Sequence, residues 1–280
     1  MPRWLIGIAA LLALSAPAMS PALATDLPAA APVRLTTPAP VALWTVTIGA
    51  EARLLPSFEG ANSYTVAPVP LLSIRRAGTP ASFVAPRDGF GFAILDTGKF
   101  QAGPAFKVDL PRREGSNSDL RGLGNVDWTL EAGAFIQYWW TPWLRTRAEL
   151  RQGIGGEKGL MSDLTADVVV PVTSQVTVSG GPRLTLATNA ATSPYFSITP
   201  LQSINSGLPV YDAHGGVRSF GAGAQVRYAW SPQWATHVFV EYMRLSGDAA
   251  NSPLVTLRGS RDQVQTGIGL AYSFDVPAWW

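Results

Sequence analysis

Apolar and polar residues change places at every step over long stretches of this chain, and a period of two leaves few folds open. Trp44, Val46, Ile48, Ala50, Ala52 and Leu54 alternate with Thr45, Thr47, Gly49, Glu51 and Arg53, the pattern of a strand with one apolar and one polar face. The alternation recurs at 99–110, 127–138, 143–151, 160–170, 175–188, 217–229, 235–245 and 263–274. In the clearest instance Leu144, Thr146, Ala148 and Leu150 alternate with Arg145, Arg147, Glu149 and Arg151. Such lengths match the roughly 9–11 residues of a tilted membrane strand. Charged residues make up 14% of the chain, against about 25% in water-soluble domains, so part of the surface is expected to meet hydrocarbon. After the first two dozen residues no apolar run is long enough for a membrane helix, and only closed strands can then cross a bilayer. The predicted fold class is all-β, a transmembrane antiparallel β-barrel.

The start of the chain reads as an address. Arg3 precedes an apolar run, Leu5 to Leu14, and Ala22-Leu23-Ala24 supplies a cleavage pattern, so 1–24 is expected to be a signal peptide. Residues 25–43, rich in Pro and Ala, suit an extended periplasmic lead. The barrel is expected over 44–274, with 275–280 as a short tail. The expected destination is the outer membrane of a Gram-negative-type cell, with its lipid as the first partner. The chain has no cysteine, which excludes a lipoprotein anchor and disulfides.

Connections alternate in length. Short ones hold Thr141-Pro142, Pro171 to Ser174 and Ser231-Pro232-Gln233, while long polar ones cover 111–125, 189–216 and 246–262. Short periplasmic turns and long external loops are the habit of such barrels. Trp139, Trp140, Trp143, Trp230 and Trp234 gather at the short-turn end, as an interfacial girdle would. An even number of strands requires 64–76, 81–86 and 89–95 as additional strands with Arg87-Asp88-Gly89 as a turn, which makes twelve. Ten is the alternative, and Pro68 and Pro70 disturb the first of the three.

The polar faces carry Glu51, Arg53, Lys107, Asp109, Glu131, Arg145, Arg147, Glu149, Arg151, Asp163, Asp167, Arg183, Arg227 and Glu241. Twelve strands about 4.7 Å apart and tilted about 40° enclose a radius of roughly 12 Å. Side chains fill much of that width, so pairing of opposite charges across the lumen is the expected use of these residues. A row of arginines lining a selective pore is the alternative, with Asp163 and Asp167 on the next strand placed to neutralise it. The only histidines are His214 and His237. His237 shares a face with Glu241, but no serine stands at a matching inward position nearby, and nucleophilic catalysis needs one. Neither an enzyme, a metal site nor a cofactor is expected. A net charge of +2 without a basic cluster gives no footprint for nucleic acid.

Four local segments resemble the MltA-interacting protein/OmpV (MipA/OmpV) family: Pro56 to Tyr64, Leu120 to Asp127, Ser206 to Tyr211 and Gly247 to Val255. The resemblance runs over nearly all of the chain after the leader. Gly269, Tyr272 and Phe274 also resemble the terminal-strand signal of outer-membrane barrels. The family implies the same barrel and a scaffolding role between a lytic transglycosylase and a murein synthase. A narrow channel for small solutes and a surface adhesin using 189–216 and 246–262 are the alternatives.

Overall fold

The structure, a computed structural model, describes residues 42–79 and 83–277. The leader, all but the last two residues of the Pro/Ala-rich segment, and 278–280 lie outside them. Ten long antiparallel strands form the wall: β1 (Ala42–Pro56) and β2 (Tyr64–Arg76), then β5 (Phe100–Asp109), β6 (Thr129–Thr141), β7 (Leu144–Gly155), β8 (Leu160–Pro171), β9 (Val176–Ala187), β10 (Gly216–Ala229), β11 (Trp234–Leu245) and β12 (Asp262–Pro277). Two-residue strands β3 (Phe90–Gly91) and β4 (Leu95–Asp96) both lie on β5, which brings the sheet to twelve. From β5 to β12 each long strand pairs with the next, β12 pairs with β1, and β1 pairs with β2. No helix among the described residues is long and apolar enough to cross a membrane.

Two boundaries differ from expectation. Pairing of β1 with β12 continues from Trp44↔Val276 to Ala42↔Pro277, and Thr45 Oγ1 donates to Asp275 at 2.6 Å. Residues 275–277, assigned to a tail, therefore belong to the wall. The segment expected as a strand at 81–86 is not one where it is described: 83–89 carries no strand. Its turn enters the lumen, because Arg87 and Asp88 find opposite charges there. The chain rejoins the wall at β3 and β4, a single run along β5 broken by a register shift between Gly91↔Ala105 and Leu95↔Ala102.

The barrel is consequently nearly closed. β2 is laddered to β1 from Tyr64 to Arg76 and to no other strand. Pro68 and Pro70 share one parity on β2, and neither can donate to a ladder, so an edge is where they do least harm.

Alternation sorts the side chains as a membrane wall requires. Ile48, Val66, Ile136, Leu150, Val238 and Ile268 are among the exposed large apolar residues outside, while Glu51, Glu131, Arg145, Arg151, Asp163, Asp167 and Glu241 are buried inside.

The long connections depart most from expectation. They form a folded cap containing α1 (Asn189–Phe196), α2 (Pro200–Ser206), α3 (Gly247–Asn251) and α4 (Pro253–Arg258). Local chemistry sets α2: Thr199 and Gln202 make a reciprocal capping box, Pro200 opens the first turn, and Gly207 closes it in the left-handed conformation. Phe58, Ala61, Leu120, Leu123, Ile198, Leu208 and Leu254 share one buried core. Phe196, Ala213, Leu245, Ala249, Ala250 and Val255 form another. The four segments that carry the family resemblance thus converge at one end of the barrel. Gly60 has φ +96°, and a Cβ there would stand 2.7 Å from Val255 Cγ2, so both the turn and the packing demand glycine.

Candidate functional site

The lumen is the candidate site, and the two-residue period builds it. On β7, Arg145, Arg147, Glu149 and Arg151 point inward in a column, and the neighbouring strands bring acids to them. Arg145 donates to Asp88 and to Asp167, each at 2.8 Å, and lies over the Phe83 ring with its guanidinium carbon 4.6 Å from the ring centre. Arg151 meets Glu131 at 2.7 Å, Asp163 at 2.5 Å, and Glu149. Arg147 bonds Glu149 at 2.6 Å and stacks 3.8 Å from the Phe135 centroid. Arg183 joins Asp167 at 2.6 Å and Glu241 at 3.6 Å. Burying such charges is tolerable only with partners and hydrogen bonds to the remaining lone pairs. Thr185 gives Asp163 a bond of 2.6 Å, and Gln265 gives Glu241 one of 2.7 Å.

The inserted turn completes the network. Asp88 takes both terminal nitrogens of Arg145 and the Ala85 amide, while Arg87 approaches Glu241 at 3.5 Å and Asp163 at 4.0 Å. The Gly89 amide donates to Glu149 at 3.1 Å, and a Cβ on Gly89 would stand 2.9 Å from the Phe106 carbonyl oxygen. Arg87, Asp88, Arg147, Glu149, Asp163 and Thr165 pack around one another with no room for a water molecule between them. The middle of the lumen is a polar packing core.

Other expected residues sit apart from this network. Glu51 holds Arg53 and His237, each at 2.6 Å. Lys107 and Asp109 form a 3.5 Å pair with about a third of each side chain exposed. Among the described residues Arg227 makes no ion pair. It is half-buried near the short-turn end of β10.

Arg218 escaped the alternation argument. An even-numbered residue of β10 should face outward with Phe220 and Ala222, but the register slips by one between Val217↔Leu186 and Ser219↔Thr185. This bulge turns Arg218 inward, where it grips Glu59 of the cap, donates 3.0 Å to the Ala191 carbonyl oxygen, and packs against Tyr195 and Phe196. It is the rivet between cap and lumen. Glu157, in the turn between β7 and β8, is buried with one carboxylate oxygen unpartnered. Burial holds its carboxyl above the usual carboxylate range.

At the short-turn end Trp140 stands 4.8 Å from Tyr138, Trp230 4.5 Å from Tyr228, and Trp234 4.8 Å from Tyr272, centroid to centroid. Trp140 and Trp230 donate to Thr146 and Thr236. Trp143 is exposed. Trp139, one residue from Trp140, falls on the inward parity of Phe135 and Gln137 and is half-buried, so it does not face lipid with the others.

A family model described as MltA-interacting protein MipA matches residues 48–274. No curated protein matches the chain. Among solved structures the chain is similar to the NanC porin, at 9% identity and TM-score 0.41 over 82% of this chain and 99% of that one. It is similar to the KdgM porin at 11% and 0.39, over 83% and 99%. An outer membrane channel from Pseudomonas putida F1 matches at 11% and 0.43, over 84% and 97%.

Proposed function

The chain belongs to the MltA-interacting protein MipA family, and from that premise we propose that it is an outer-membrane barrel that works through its faces, as a scaffold for murein-remodelling enzymes. The observation that supports this most is the filled lumen: ion pairs occupy its middle and a folded cap covers one end. A barrel packed in this way offers surfaces to partners and no open path to solutes. The family's name speaks of a protein that interacts with MltA, and a lytic transglycosylase of that kind is the first partner to test. The turns 142–143, 172–175 and 230–233 would form the periplasmic rim, the end of the barrel at which β1 begins.

The test is capture from detergent-solubilised membranes by the full-length protein. A lytic transglycosylase should co-purify, and removal of 25–41 should weaken the capture if that segment contributes. Failure to retain any murein hydrolase or synthase, together with discrete conductance of the native protein in a planar bilayer, would replace scaffolding by the channel reading.

A further inference from the structure

The outer wall of the barrel is not evenly filled. Where β11, β12 and β1 run side by side, Ile48, Gly49, Ala50, Trp234, Leu270 and Tyr272 line an open groove of about 410 Å³, within the range of about 300–1,000 Å³ that small ligands occupy. The register explains it. Tyr272 stands opposite both Ile48 and Trp234, and the next outward row toward the cap sets Ala50 between Leu270 and Pro70. The Trp234 and Tyr272 rings, 4.8 Å apart between centres, raise one side, and the single methyl of Ala50 leaves the floor low. The four large side chains are exposed. The same outward face leads to a cation. Trp44 of β1 and Arg76 of β2 stand opposite each other, four residues nearer the short-turn end than Ile48. Arg76 is exposed and makes no ion pair among the described residues. Asp275, an acid one register step away, is on the inward parity and engaged by Thr45.

We propose that the groove and Arg76 together hold one glycerophospholipid of the leaflet at the short-turn end, with an acyl chain in the groove and the phosphate on Arg76. The dimensions agree. At about 3.4 Å per residue and a tilt of about 40°, Arg76 stands about 10 Å nearer the headgroups than Ile48 and about 15 Å nearer than Ala50, and the hydrocarbon of one leaflet is about 15 Å thick. A guanidinium meets a phosphate with paired donors, and the rings of Trp44 and Trp234 suit the zone between headgroup and chain. A second copy of the chain fits less well, because six residues line the groove and a stable protein interface takes about 20–30 on each side. This inference rests on the wall facing hydrocarbon and not on scaffolding.

The test titrates the full-length barrel, folded in detergent, with palmitoyl-oleoyl-phosphatidylglycerol and counts bound lipids by native mass spectrometry; palmitoyl-oleoyl-glycerol is the probe without phosphate. The native protein should retain one phospholipid after the rest have dissociated, and should hold the diacylglycerol at least about fivefold more weakly, the worth of one basic residue at a lipid surface. Ala50→Trp, which fills the groove, should abolish the retained lipid, whereas Ala148→Trp on the outward face of β7 should keep it. Arg76→Gln should weaken retention about fivefold, and Arg76→Lys by less. Heat-modifiable mobility on gels reports folding, and should Ala50→Trp not fold, Arg76→Gln decides. No retained lipid, retention unchanged by Ala50→Trp or by Arg76→Gln, or a dimer free of lipid overturns the site. Diacylglycerol held as tightly as the phospholipid overturns the headgroup assignment. A native protein soluble without detergent would remove the membrane reading, and the site with it.

Discussion

In the middle of the lumen each guanidinium meets at least one carboxylate, whereas at the short-turn end Arg227 faces Thr177 and His237 and makes no ion pair. Both regions belong to the same strands and obey the same alternation. The difference lies in what the neighbouring elements bring. Acids from β6 and β8 and the inserted Asp88 converge on the β7 arginines, while Arg227 makes no ion pair among the described residues. The lesson is that alternation delivers a charge to the lumen, and the topology around it decides whether it is paired.

Removing Arg151 should break the central region most severely. Arg151→Ala leaves Glu131, Glu149 and Asp163 facing one another without their shared cation, and loss of one partner in a buried cluster costs about 3–5 kcal/mol. Urea unfolding in lipid vesicles measures it, and a loss below about 1 kcal/mol would mean that the acids are already solvated and the region is no packing core. Loosening the inserted turn should have a smaller effect on stability and a clearer one on permeation. Asp88→Asn weakens the bonds to Arg145, bonds to charged groups being worth about 1.5–3 kcal/mol. Current steps should appear in a planar bilayer where the native barrel is silent, and continued silence would show that 83–89 is not what seals the lumen.

The smallest effect concerns the cap. Because the Glu157 carboxyl sits above the ordinary carboxylate range, the stability linked to it is fully present below that ordinary range and is lost as pH rises through the elevated value. Hydrogen exchange of the 156–159 amides should therefore speed up, beyond the intrinsic base catalysis, as pH rises above the usual carboxylate range, and Glu157→Gln should abolish the excess. An unchanged excess in that variant would assign the effect to another group.

Much of this molecule was legible in order along the chain. Alternation is a local property, so the strands, the outward apolar residues and the inward charges from Glu51 to Glu241 could be read off directly, as could the short turns with Trp140, Trp230 and Trp234 beside them. The partner of each charge could not be read so easily. Asp88 lies on what the pattern made a turn between two wall strands, and its departure into the lumen depends on Arg145, 57 residues away. Arg218 was hidden because a single inserted residue reverses parity, and nothing in the local pattern marks the slip. The cap was hidden for a related reason. Phe58, Leu120, Ile198 and Leu254 come from four separate connections, each too short and mixed to show a period of its own.

What this sequence determined alone was therefore whatever a period of two can encode: a wall with a lipid face and a polar face, and the order of its strands. Tertiary structure decided which charges neutralise one another, where the wall opens inward at 83–89, and that the external loops fold into a core. The physical reason is range. Side-chain alternation follows from backbone geometry between adjacent residues, while ion pairing and apolar burial are settled only when closure of the barrel brings distant strands and loops to one place.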